Sequence, residues 1–83
     1  MLFRSAAKLL ETATTHHQAG RLDDAEKAYL KLLKISAGNS DGLRLLGGLY
    51  LQRKQWLHAV PPLEKAAHLR PQDAETITNL GIA

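Results

Sequence analysis

Leu43-Arg44-Leu45-Leu46-Gly47-Gly48-Leu49-Tyr50 is the stretch on which the fold turns. Its apolar residues at 43, 46 and 50 recur at three- and four-residue spacing, the mark of one face of an amphipathic helix. Gly47 leaves that helix bare where a partner helix can approach. Moved by 34 residues in either direction, the slots recur: Leu9, Leu43 and Ile77 fall in register, as do Ala13, Gly47 and Gly81. Ala25 pairs with Ala59, Lys31 with Lys65, Leu22 with Trp56 and Ile35 with Leu69 at the same offset. A period of about 34 residues is that of a helix–turn–helix unit which buries its apolar faces by stacking on its neighbours. The expectation is an all-α chain of five helices, antiparallel hairpins stacked as a right-handed α-solenoid.

Outward from that stretch, Ala6, Leu9, Leu10 and Ala13 mark a first helix from Ala6 to Ala19, closed by Gly20 as C-cap. Asp23 and Asp24 suit the positive start of a second helix, and Lys31 and Lys34 its negative end. Its apolar face holds Leu22, Ala25, Tyr29, Leu32, Leu33 and Ile35. Ser36-Ala37-Gly38-Asn39 breaks the pattern, and Ser40 is the expected N-cap of the third helix, whose inner side adds Leu51. The fourth runs from Trp56 to Leu69 before Pro71, and Asp73 caps a fifth containing Ile77 and Leu80. Pro61 and Pro62 fall inside the fourth helix, where each removes a hydrogen bond, and a gentle bend near its start accommodates them. Residues 1–5 fit the register poorly and are expected to be a non-native or disordered leader. Residues 6–39 form the first repeat, 40–73 the second, and 74–83 the first helix of a truncated third.

Bulk composition narrows the function. Eighty-three residues, 45% apolar and 23% charged, suit one small folded domain. With no cysteine, disulfides and thiolate metal sites are excluded. The net charge of +3 comes from dispersed lysines and arginines, so nucleic acid is not an expected partner. Neither a signal-peptide pattern nor a membrane-length apolar run occurs, and a cytoplasmic location is expected.

Leu43-x2-Leu46-Gly47-x2-Tyr50, followed by Ala59-x3-Leu63 and Pro71, resembles the tetratricopeptide repeat (TPR) pattern at every slot except the leading Trp and the Phe. The first repeat departs further: Thr12 and His16 stand where leucine and tyrosine would pack, and Ala37 replaces the closing proline. In such a unit Ala13, Gly47 and Gly81 permit close approach within a hairpin, Ala25 and Ala59 supply the matching small surface, and Tyr29 and Leu63 fill the space between hairpins. Trp56 is expected to cover the turn end of its hairpin.

The resemblance implies a binding scaffold in which the first helix of each hairpin lines a concave groove for a peptide or partner helix. Carried over by register, the groove is lined by Leu10, Thr14 and His17, then by Arg44, Gly48, Leu51 and Gln52, and finally by Glu75, Thr78, Asn79 and Ile82. A TPR subclass that clamps a C-terminal carboxylate carries lysine, asparagine and arginine at slots that here hold Leu10, Thr14, Leu45, Glu75 and Asn79, so that clamp is missing. Another, similar to the repeats of O-linked N-acetylglucosamine transferases, carries a ladder of groove asparagines. Asn79 fits one rung, whereas Glu11 and Leu45 occupy the others.

No catalytic, cofactor or metal site is expected. His16 and His17 point about 100° apart on a helix, and His58 and His68 are ten residues apart. Gly47-Gly48 follows no strand and is no phosphate loop. The leading reading is a non-enzymatic protein-interaction scaffold; the alternative is the substrate-recognition arm of a larger glycosyltransferase, sulfotransferase or methyltransferase. Self-association through an uncovered C-terminal helix is a further expectation.

Overall fold

The computed structural model describes residues 2–82, and they form five α-helices: α1 Leu2–Gln18, α2 Leu22–Ile35, α3 Ser40–Gln52, α4 Trp56–Leu69 and α5 Ala74–Ile82. Met1 of the expected leader and Ala83 of the expected third unit lie outside the described residues. Among the described residues there is no strand, and no helix is long and apolar enough to cross a membrane. α1 starts at Leu2 rather than Ala6, so residues 2–5 continue the helix they were set apart from.

Each helix packs on its chain neighbour, and α3 also meets α5. α2 and α3 run antiparallel: Gly42 at the start of α3 faces Leu32, while Tyr50 near its end reaches Glu26. The core gathers small residues with large ones. Ala13, Ala25 and Ala59 are fully buried, and Tyr29, Leu49 and Leu63 fill the space their small side chains leave.

The joints show why the period is 34. α1 ends with Gly20 N–H donating to His17 C=O and Arg21 N–H to His16 C=O, a Schellman closure that needs a left-handed residue at position 20. α3 ends the same way, Lys54 N–H donating to Leu51 C=O and Gln55 N–H to Tyr50 C=O. The next helices start alike: Arg21 and Gln55 precede α2 and α4 with φ, ψ of −84°, 72° and −93°, 70°, neither capping through its side chain. Ser36 and Arg70 end those helices at −136°, 80° and −134°, 79°. Asn39 and Asp73 then turn the chain into α3 and α5, their amides donating to Ser36 and Arg70 C=O at 3.1 Å.

Several expectations change in detail. The N-cap of α3 is Asn39, not Ser40: Asn39 Oδ1 accepts from Gly42 N–H at 2.8 Å, and Ser40 is already helical. An amide side chain at this slot matches the carboxylate of Asp73, which accepts from Glu75 N–H at 3.1 Å and from Thr76 Oγ1 at 3.0 Å. Trp56 is 44% exposed and leaves the turn end of its hairpin partly uncovered. In α5 the buried residue is Thr76, while Ile77 is 50% exposed, because no further helix covers its side among the described residues. α4 continues through Pro61 and Pro62. The amides missing there would have served the carbonyls of Leu57 and His58, both exposed residues.

A paired exchange between repeats accompanies the packing of α3 on α2 and of α5 on α4. A Cβ on Gly42 would sit 2.7 Å from Leu32 Cδ2, so glycine is what lets α2 and α3 close around that leucine. Thirty-four residues on, the slots hold Thr76 and Ala66, both buried. The large residue has moved to the other helix, and the summed volume stays near constant, as a close-packed interface requires.

Candidate functional site

The residues expected to line a groove come from α1, α3 and α5, and the structure brings several into direct contact. His17 Nδ1 lies 2.9 Å from Tyr29 Oη, and its Nε2 lies 3.0 Å from Gln52 Oε1. In the neutral imidazole, a proton on Nε2 meets the accepting Gln52 oxygen and leaves Nδ1 to accept from the tyrosine hydroxyl. The rings of His17 and Tyr29 meet edge to face, 5.8 Å between centroids at 82°. Tyr29 is fully buried, and burial pushes its hydroxyl up to about 12 against the opposing pull of Arg44. It therefore remains a neutral donor. His17 thus bridges three helices, a role the groove assignment did not include.

Arg44 is the electrostatic centre of the row. Its guanidinium lies 3.0 Å from Glu75, 3.5 Å from Asp41 and 3.6 Å from Asp73, linking α3 to the start of α5. Asp73 sits below the usual carboxylate range. Desolvation acts to raise it, but hydrogen bonds from Thr76 and Glu75 and the charge of Arg44 together prevail. A cleft of about 600 Å³ opens beside this cluster, lined also by Arg70, Pro71 and Gln72.

The rest of the row divides by exposure. Gly48 and Asn79 are neighbours across α3 and α5, the Asn79 amide nitrogen standing 4.0 Å from where a Gly48 Cβ would be. Leu10 and Leu51 are partly buried against the core, and Thr14 Oγ1 donates to Glu11 C=O within α1. Gln52, Glu75, Thr78 and Ile82 are exposed. The row therefore offers amide and carboxylate groups beside the partly buried Leu10 and Leu51. Among the described residues no three His, Asp or Glu side chains converge as a metal ion would require.

Sequence reasoning missed a polar network between α2 and α3. Tyr50 Oη donates to Glu26 Oε2 at 2.8 Å, Arg53 Nη1 donates to Glu26 Oε1 at 3.2 Å, and the other Arg53 nitrogen pairs with Asp23. Burial first, and the hydrogen bond to Glu26 second, push the Tyr50 hydroxyl up to about 12. The signal lay in the register: Glu26 and Asp23 stand where the second unit has Val60 and Leu57. In comparison with known proteins, the chain matches no family model and no curated sequence.

Proposed function

We propose that this chain is a protein-interaction scaffold, about two and a half TPR-like repeats of a right-handed α-solenoid, whose α1–α3–α5 face receives a peptide or a partner helix. The observation that carries the reading is the recurrence at 34 residues of the helix boundaries from the end of α1 to the start of α5, Gln18 with Gln52, Leu22 with Trp56, Ile35 with Leu69 and Ser40 with Ala74. Such recurrence lets successive first helices present equivalent slots along one face. On that face Gln52, Arg44, Glu75 and Asn79 supply directional polar groups, His17 orients Gln52, and Gly48 leaves room for a backbone to approach.

Panning a random peptide library against the chain tests this reading. Peptides selected on wild type are expected to lose at least about tenfold in affinity, roughly 1.4 kcal/mol, with Asn79→Ala or Gln52→Ala while helicity is retained. Unchanged affinity in both variants would reject the groove.

A further inference from the structure

The side of α3 facing away from Gly48 and Gln52 carries a second feature, and it goes beyond the groove proposed above. Leu43, Leu46 and Tyr50 floor an outer groove of about 610 Å³ between α2 and α4. One unit earlier, Leu9, Thr12 and His16 floor the equivalent groove of about 540 Å³ between α1 and α2. The walls correspond as well: Pro61, Pro62 and Lys65 of α4 stand where α2 has Lys27, Ala28 and Lys31.

The two grooves share a backbone frame and differ in chemistry. Thr12 and His16 become Leu46 and Tyr50, Lys27 becomes Pro61, and Asp23 becomes Leu57. Leu57 is 86% exposed at the edge of the second groove, and Leu30 flanks it from α2. The floor residues Leu43, Leu46 and Tyr50 are buried and serve the core, but the first unit forms the same helix with Asp23 at the slot of Leu57, so folding does not demand an apolar residue at that edge. Two prolines inside α4 also cost helix stability, and Pro61 is exposed. A groove edged by the exposed apolar side chains of Leu30 and Leu57 marks an interaction surface.

Its rim points to the partner's charge. Lys65 and His58 line the groove, and Lys27, Lys31 and Lys34, which line the first groove, lie on α2 beside Leu30, the residue the two grooves share. No lysine among the described residues makes an ion pair. Of the four nearby acids, Asp23 and Glu26 are held by Arg53, which leaves Asp24 and Glu64 against four lysines. A second copy of this chain would bring the same cationic rim and be repelled.

We propose that the outer groove between α2 and α4 docks an acidic protein segment that inserts bulky apolar side chains between Leu30 and Leu57. The apolar side chains fill the floor over Leu43 and Leu46, and the acids meet Lys65 and the α2 lysines. Electrostatic complementarity of this kind makes the interaction weaken with salt.

The probe is a pair of synthetic helical peptides with identical leucine and phenylalanine positions, one carrying glutamate and the other lysine elsewhere. Each is titrated against the full chain by fluorescence anisotropy. The glutamate peptide is expected to bind at least about tenfold more tightly, and Leu30→Gln/Leu57→Gln is expected to abolish that tenfold advantage without loss of helicity. Lys65→Glu is expected to weaken the glutamate peptide and strengthen the lysine peptide. Equal binding of the two peptides, or affinity unaffected by the leucine pair, overturns the proposal. Binding of phosphatidylserine vesicles that the leucine pair removes, with no preference between peptides, overturns it in favour of a lipid surface.

Discussion

Lys54 holds the left-handed backbone position that Gly20 holds one unit earlier, with φ 61° against 81°. Both residues are the hinge of a Schellman closure that turns the chain directly into the next helix. A side chain in this region costs about 1–2 kcal/mol that glycine does not pay. Lys54→Gly is therefore expected to raise stability by about 0.5–1 kcal/mol once the greater freedom of unfolded glycine is subtracted. Gly20→Ala is expected to lower it by about 1 kcal/mol. Thermal unfolding followed by circular dichroism reads both.

The glycines at 47 and 81 share a register slot but not an environment. A Cβ on Gly47 would overlap the Leu63 side chain, whereas one on Gly81 meets nothing within 4 Å. Gly47→Ala is expected to destabilise by about 1–3 kcal/mol through overpacking. Gly81→Ala is expected to be neutral or to stabilise by up to about 1 kcal/mol through helix propensity. Urea midpoints compared for the two variants check the contrast.

Two buried hydroxyls hold the helices in register. Tyr29→Phe leaves His17 Nδ1 without its donor, and Tyr50→Phe leaves a Glu26 oxygen without one of its partners. Each is expected to cost about 1 kcal/mol, more at Tyr50, where the orphaned acceptor is charged. Chemical denaturation at neutral pH measures both losses.

Asp73 makes the start of α5 sensitive to acid. Its folded carboxyl is depressed below the ordinary value of 3.8, so the charged cap contributes fully above that value and is lost as pH falls through the folded one. The Asp73 side-chain carbon resonance is expected to titrate below the ordinary carboxylate range, while α5 amide shifts move with it. With Asp73→Asn the α5 shifts are expected to lose that acid transition.

α5 is the least supported helix. Thr76 is its buried residue, and Ile77 and Ile82 are 50% and 58% exposed. Each uncovered aliphatic side chain forgoes part of the roughly 1.5–3 kcal/mol that full burial brings. Amides of α5 are expected to exchange at least about tenfold faster than those of α2 and α3 in hydrogen-exchange measurements. Equal protection in a proven monomer would contradict the assignment.

Much of this fold was legible because the period itself is a packing rule. Four of the five helices begin and end within two residues of where periodicity and the breakers Gly20, Asn39 and Pro71 put them, and α1 differs only in its start. What could not be read was the division of labour between equivalent slots. Thr76 is buried and Ile77 half exposed because burial in α5 depends on which neighbour is present, not on hydrophobicity. Asn39 displaced Ser40 as cap because the choice between adjacent polar residues rests on one hydrogen bond to Gly42. In the candidate groove the polar character of the row was legible, but not that Tyr29 and Gln52 would engage His17, since those contacts span different helices.

The most direct test of the scaffold reading is amide chemical-shift mapping of the full chain during titration with a peptide selected by panning. The account predicts shifts concentrated on Arg44, Gly48, Gln52, Thr78 and Asn79, falling off towards the outward faces of α2 and α4. Perturbations spread evenly over the chain, or confined to residues outside the α1–α3–α5 face, would contradict it.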